Sequence, residues 1–268
     1  MKRRVIGWLA ILALALPGRP AHGEDLPELK TRGTLRVLAV VSPENPHFVA
    51  LNAGTPTGFD IEILDGFARL QGLKLQVVPE STWDGLIPGL LKARGDLIAG
   101  GFTDTESRRA QIAFSSEVFP TRSVVLTRKP HRPIHTLAEL RAERVGVIKG
   151  TSMVQAVLAA GVPAAQLDDS LASGSVPEAL RSGRVGVAVD GIEAALTAKR
   201  ADPELEIGVF LGQPESLAYG VRKTSPKLLA ALNEYVANVR RTPTWSRLAI
   251  QYFGEAAPEI LKKARSSE

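Results

Sequence analysis

The sequence predicts an α/β protein of two similar lobes, each a mostly parallel sheet flanked by helices, joined by two hinge strands. Three observations predict it. Short β-rich runs alternate with helix-period stretches, which is the pattern of βαβ units. The alternation breaks at a polar, proline-rich stretch, 129–133 (K-P-H-R-P), and then restarts. About 245 residues follow an N-terminal apolar segment, enough for two small lobes with a core each.

The N-terminus sets the expected compartment. Lys2, Arg3 and Arg4 precede an apolar run over 5–16, which is shorter than the roughly 20 residues needed to span a bilayer. Pro17 and Gly18 break the run, and Ala21-His22-Gly23 offers small residues at the two positions a signal peptidase reads. This predicts a secretory signal over 1–23, cleaved near Gly23, and a freely soluble periplasmic chain. The sequence has no cysteine, so neither a lipid-modified cysteine nor a disulfide is available. The net charge is +5, of which Lys2, Arg3, Arg4 and Arg19 supply four with no acid before Glu24; their loss leaves +1. No basic stripe with interleaved aromatics remains, which argues against nucleic acid as a partner.

The elements follow in order. A first strand is expected over 35–41, a helix over 60–70 with Ile61, Leu64, Phe67 and Ala68 on one face, a strand over 74–78 and a helix over 83–93. Strands at 96–99 and 123–127 complete the first half. After the break come a short helix (137–141), a strand (144–148), helices over 152–160 and 176–181, a strand (185–189), a helix (192–200) and strands at 207–211 and 217–221. Two long helices, 226–241 and 245–253, close the chain before a charged tail. The expected division is 24–125 for lobe one, 126–216 for lobe two, and 217–268 for the return to lobe one with the C-terminal helices. Ligands of open α/β sheets bind at the carboxyl ends of the strands, so the cleft lies between the lobes.

Residues 99–114 (A-G-G-F-T-D-T-E-S-R-R-A-Q-I-A-F) carry the clearest chemistry. An apolar strand ends in Gly100-Gly101; the hydroxyls of Thr103 and Thr105 follow, then Arg108 one turn into a helix. Backbone N–H groups, a hydroxyl and a guanidinium fork suit a small carboxylate. Equally, Thr105 can cap a turn and Arg108 can sit in a surface ion pair. The Lys149-Gly150-Thr151-Ser152 loop and Asp190 fall at strand ends of lobe two. The four histidines do not cluster; His131 and His135 read as a solvated turn. No metal site, phosphate loop or cofactor is expected.

Five stretches, in order and spacing, resemble the polar amino-acid-binding family of bacterial extracellular solute-binding proteins, the receptors of ATP-driven importers. They are Gly58-Phe59-Asp60-Ile61-Glu62, Trp83-Asp84-Gly85-Leu86-Ile87-Pro88, Gly101-Phe102-Thr103 with Arg108, Ile148-Lys149-Gly150-Thr151-Ser152, and Val187-Ala188-Val189-Asp190. The resemblance covers nearly the whole mature chain. It implies that Trp83 stacks on the ligand, that Gly101, Thr103, Arg108 and Ser152 hold its α-carboxylate, that Asp190 pairs with its α-ammonium, and that Ile148 forms an apolar wall. The alternative role for Asp190 is an N-cap of the following helix. The implied partners are an amino-acid-like small molecule and an inner-membrane ABC permease, with the protein a monomer and not an enzyme.

The chain departs from the family in places. The loop 42–48 (S-P-E-N-P-H-F) lacks the usual run of aromatics, leaving Phe48 as a wall and Glu44 as a side-chain partner. Met153 stands where a polar contact is common, which implies a less polar pocket. Asp190-Gly191-Ile192-Glu193-Ala194, with Asp202-Pro203-Glu204-Leu205, also resembles the periplasmic cyclohexadienyl (prephenate/arogenate) dehydratases, in which a glutamate at the position of Glu193 acts as general acid. The 149–153 loop lacks the extra glycine and the asparagine those enzymes show. Without such chemistry Glu193 is a first-turn acid favoured by the helix dipole. A third reading makes the chain a ligand-sensing module for a separate signalling partner.

Overall fold

The structure is a computed structural model that describes residues 24–41 and 47–266. The signal segment 1–23 and Glu44 lie outside the described residues. The first stretch holds α1 (Leu26–Arg32), β1 (Thr34–Val40), β2 (Ala50–Asn52), β3 (Thr55–Thr57), α2 (Phe59–Leu70), β4 (Lys74–Glu80), α3 (Trp83–Leu91), β5 (Leu97–Ile98), α4 (Glu106–Arg109) and β6 (Ala113–Phe114). The middle holds β7 (Phe119–Arg128), α5 (Leu137–Leu140), β8 (Val145–Ile148), α6 (Ser152–Ala159), β9 (Leu167–Leu171), α7 (Val176–Arg181), β10 (Val187–Gly191), α8 (Ile192–Ala201) and β11 (Leu205–Leu217). The chain ends with β12 (Gly220–Val221), α9 (Pro226–Arg241), α10 (Pro243–Phe253) and α11 (Ala257–Arg265).

Two five-stranded sheets result, ordered β4-β1-β5-β12-β6 and β11-β7-β10-β8-β9. Each is a two-lobe half, and each is more mixed than expected. The βαβ crossovers make β4, β1 and β5 parallel, and β10, β8 and β9 parallel. Where the chain crosses between lobes it runs back along the sheet, so β12 is antiparallel to β5 and β6, and β7 to β10 and β11. β7 belongs to the second sheet over its whole length. The chain therefore passes from the first sheet to the second between β6 and β7 and returns between β11 and β12. One apolar cluster runs through both crossings, with Phe119 and Leu217 continuous with Phe59 on one side and Ile192 on the other.

Besides the short strands β6 and β9, the sequence reading missed the hairpin β2–β3 and the helices α1 and α11, the last three for identifiable reasons. The hairpin β2–β3 is only three residues a side, with Ala53 and Gly54 at positive φ in its turn. α1 is a short helix carried by its caps: Asp25 and Glu28 form a capping box, and Gly33 ends it in the left-handed region. The same Asp25 carboxylate accepts the N–H groups of Lys227 and Leu228 at 3.0 and 2.8 Å, capping α9 as well. The charged tail folds as α11, whose buried Ala257, Ile260 and Ala264 repeat at helical spacing. It packs on β7 and α8, whereas α10 packs on α2 and α9 of the first lobe.

At the start of β5, Asp96 is fully buried and holds three arginines to the base of lobe one. It accepts from Arg36 N and Nη2, each at 2.8 Å, and from Arg32 Nη2, with Arg222 Nη2 3.8 Å away. Removing the carboxylate leaves a buried guanidinium unpaired. Asp96→Ala is expected to cost about 3–5 kcal/mol in urea denaturation at neutral pH. Breaking the exposed Glu259–Lys263 pair with Lys263→Ala is expected to cost less than about 0.5 kcal/mol.

Candidate functional site

The cleft closes over a central cavity of about 50 Å³. Every described residue singled out for ligand contact borders it: Trp83, Gly101, Thr103 and Arg108 from the first lobe, Ile148, Ser152 and Asp190 from the second, with Phe48 and Met153. Arg108 reaches it because Thr105 caps the single turn α4, accepting the Arg108 N–H at 3.4 Å. Arg108 forms no surface ion pair; the neighbouring Arg109 takes that role with Asp104. Instead the Arg108 guanidinium stacks over Phe102 at 4.0 Å and donates to Thr103 O at 2.7 Å and to Gly150 O of the opposite lobe at 3.0 Å. Those bonds use two of its five N–H groups. A second bond between lobes runs from Ser152 Oγ to Thr103 Oγ1, 3.1 Å.

Gly150 makes this closure sterically feasible. Its φ is +78°, and a Cβ there would come within 2.6 Å of the Asp84 carboxylate across the cleft. Gly101 serves differently from its expected role. Its N–H and that of Gly100 already donate to Asp60 Oδ2, at 3.2 and 2.8 Å, so neither is free for a ligand carboxylate. What Gly101 supplies is an absent side chain: at φ +76° a Cβ would press into the Phe48 ring at 2.9 Å. Phe48 is a core residue whose edge borders the cavity, packed edge-on against Phe59, Phe119 and Phe253.

Trp83 lies parallel to Phe102, with ring centroids 6.4 Å apart. Its indole Nε1–H is buried without an acceptor, a donor that a bound polar group can satisfy. Asp190 does not cap α8; Gly191 occupies the cap position. The Asp190 carboxylate accepts one bond, from Gly191 N at 2.8 Å, and burial raises its pKa to about 6. One turn on, Glu193 faces the same cavity, accepts a bond from Thr121 Oγ1 at 2.6 Å, and is raised by burial to about 7. The helix-dipole reading of Glu193 is overridden by desolvation, since α8 begins inside the cleft.

Two further carboxylates escaped the sequence reading as site residues. Asp60, fully buried, joins the Gly100–Gly101 turn to Tyr219 Oη at 3.2 Å, and burial raises its pKa to about 6. Its only sequence signal was its place in the Gly58–Glu62 stretch. Glu215 lies in an irregular part of β11, and Arg108 acts on its charge while burial raises its pKa. Arg108 itself is lowered to about 10 by burial, against the pull of Glu215 and Asp84. The cavity thus brings two buried carboxyl groups, Asp190 and Glu193, against one guanidinium.

Residues 37–255 match the model of the bacterial extracellular solute-binding proteins, family 3, and the chain belongs to that family. It is 27% identical over 260 residues to the L-cystine-binding protein TcyJ of Escherichia coli (strain K12), covering 94% of this chain and 96% of that one. It is 25% identical over 220 residues to the membrane-bound lytic murein transglycosylase F of Desulfosudis oleivorans, 81% of this chain and 48% of that protein. The chain spans about half the length of the transglycosylases it matches. Among solved structures, an arginine-binding protein, the P235GK mutant of ArgBP from T. maritima, superposes with a TM-score of 0.76 at 29% identity, over 86% of this chain and 99% of that one. The ancestral amino acid-binding protein AncCDT-1, a precursor of cyclohexadienyl dehydratase, does so with a TM-score of 0.76 at 28% identity, over 85% and 99%.

The buried carboxyls give a pH signature. Asp60, Asp190 and Glu193 have folded-state pKa values above their unfolded ones, so each binds its proton more tightly in the fold. The stability this adds is fully present below about pH 4 and is lost as pH rises through about 6 to 7. Asp190→Asn and Glu193→Gln are therefore expected to match the parent in urea midpoint near pH 4, and to exceed it increasingly up to about pH 7.5. A constant offset at all pH values would remove these groups as the cause.

Proposed function

We propose that this chain is a periplasmic receptor that captures a small amino-acid-like zwitterion between its lobes and delivers it to the permease of an ABC importer. The observation that carries the reading is the placement of Arg108 and Asp190. They border one buried cavity from opposite lobes, one cation and one anion. A zwitterionic amino acid carries opposite charges roughly 3 Å apart, and desolvating both without partners is costly. Only the closed arrangement matches both at once, so ligand favours closure. Ser152 and Thr103, already bonded across the cleft, add hydroxyls beside Arg108 for the carboxylate, and Trp83 adds an indole donor. The family and its relatives, which bind cystine and arginine, support the reading. In it the leader 1–23 is removed and the protein acts as a monomer.

One observation favours a second reading. Glu193 is a buried carboxyl in the same cavity as Asp190, and burial raises its pKa to about 7, the range suited to a general acid. Such an acid can protonate the departing hydroxyl, which leaves as water, while the ring carboxylate is lost as CO2 and its C–C bonding pair aromatises the ring, as a prephenate or arogenate dehydratase requires. The similarity to the dehydratase precursor is in keeping with this, and that precursor is itself described as an amino acid-binding protein.

The test is a thermal-shift screen of refolded, ligand-stripped protein against amino acids, small dicarboxylates, prephenate and arogenate, with product absorbance followed for the last two. A ligand at a hundred times its Kd adds about 2.7 kcal/mol, which is about 5–10 °C for a chain of this size. For the amino acid that binds, Arg108→Ala is expected to weaken affinity at least tenfold, about 1.4 kcal/mol, with an unchanged circular dichroism spectrum. A smaller loss removes Arg108 from the carboxylate. Asp190→Asn is expected to weaken amino acids far more than carboxylates lacking an ammonium; equal losses remove Asp190 from the ammonium. Turnover of prephenate or arogenate that disappears in Glu193→Gln makes the protein an enzyme.

A further inference from the structure

The lobes are joined by more than the two strand crossings. α10 packs on α2 and α9 of the first lobe, and its last residue, Phe253, is set against Phe48 and Phe59. Directly after a three-residue link, α11 lies on the other lobe, where its buried Ala257, Ile260 and Ala264 accompany its packing on β7 and α8. Its far end is anchored there as well, since Arg122 of β7 donates to Ser266 O at 2.6 Å. The link, Gly254–Ala256, is a single 3-10 turn. Such a turn rises roughly 2 Å per residue, against at most roughly 3.5 Å for an extended chain. Pulling it straight therefore lets the two helix ends part by only about 5 Å. Beyond that, α11 has to leave lobe two and expose its apolar stripe.

The same helix is tied to the first crossing. Glu117, between β6 and β7, accepts Arg265 Nη2 of α11 at 2.9 Å and Arg240 Nη1 of α9 at 2.7 Å, both on Oε1. Its Oε2 accepts Ser216 Oγ, at the return crossing, at 2.8 Å. Ser216 in turn holds the loop that carries Arg108. Its carbonyl accepts the Asp104 N–H at 2.9 Å, and two residues on the Ala218 N–H donates to Phe102 O at 3.0 Å. The residues beside Glu117 belong firmly to lobe one: Ser116 N donates to Asn233 Oδ1 of α9 at 2.7 Å, and Val118 O accepts Trp245 Nε1–H of α10 at 2.8 Å. The first crossing thus moves with α9 and α10 while α11 moves with lobe two, so parting the lobes pulls on the Arg265–Glu117 pair.

We propose that α11 is a strap, a third connection between the lobes whose short link limits how far they part, with Glu117 as the point where it is tied to both crossings. The ligand-free lobes then stay near their closed arrangement, and a ligand has less freedom to remove on binding. The strap concerns the motion of the lobes and does not depend on which ligand is bound.

The chain has no cysteine, so two spin labels can be placed across the strap, at Gln251→Cys on α10 and Ala201→Cys at the end of α8, both exposed. Electron–electron double resonance on the refolded, ligand-stripped protein reads their separation. The parent is expected to give one distribution whose spread, beyond that of the labels, stays within about 5 Å. Inserting about six glycine and serine residues after Gly254 adds up to roughly 20 Å of reach and leaves the residues of both helices unchanged. This variant is expected to gain a population at separations longer by about 5 Å or more, with an unchanged circular dichroism spectrum. Arg265→Ala, at an exposed position, keeps the link and removes only the tie to Glu117. It is expected to broaden the distribution toward longer separations by a smaller amount. Unchanged distances in both variants overturn the proposal, and so do unchanged distances in Arg265→Ala should the longer link fail to fold. A parent whose separations already spread past about 10 Å overturns it without any variant, because the link then sets no limit.

Discussion

The cleft is organised around a buried carboxylate of the first lobe. Asp60, at the start of α2, accepts the N–H groups of Gly100 and Gly101 and the hydroxyl of Tyr219. It therefore ties three separate parts of lobe one together: the first long helix, the loop leaving β5, and the segment returning from lobe two. The loop leaving β5 carries Thr103 and Arg108, so the position of the guanidinium follows from Asp60. Burying a carboxylate is costly unless it is hydrogen-bonded, and these donors offset that cost in a place where a free backbone N–H would otherwise be unsatisfied. A turn built for a ligand carboxylate is instead built on an internal one.

Charge then decides how the lobes meet. Arg108 donates to Gly150 O, and Ser152 donates to Thr103, so the closed arrangement has hydrogen bonds of its own before any ligand charge is matched. The second lobe contributes Asp190 and Glu193, and among the described residues no cation forms an ion pair with either. Desolvation pushes both toward the neutral acid. Such an imbalance lowers stability in the ligand-free fold at neutral pH and is relieved by a positive group entering the cleft. Residues of this kind are poor for folding and suited to binding. The structural ionic cluster at Asp96 shows the opposite arrangement, with one carboxylate shared among three guanidiniums far from the cleft.

Much of this was legible in the chain. The β-run and helix-period alternation predicted two lobes, and nearly every long element falls where its apolar spacing put it, α7 and α9 to the residue. Those elements bury a stripe or a face, so their pattern is written in the sequence. Several missed pieces gave little periodic signal: caps carry α1, a two-residue turn carries β2–β3, and the apolar stripe of α11 is short and set among charges. Trp83, Arg108, Ser152 and Asp190 were named from motifs and do line one cavity, because each lies at or shortly after the carboxyl end of a strand and those ends converge on the cleft.

The sequence by itself determined the fold class, the family and the identity of charged groups that border the cavity, because periodicity and local turn chemistry are short-range properties. Tertiary structure alone decided that the Gly100 and Gly101 N–H groups belong to Asp60, that Asp190 is not a helix cap, and that Glu193 is a buried acid beside it. Each of those depends on which residues from distant parts of the chain exclude water from the same small volume, and no spacing along the chain records that.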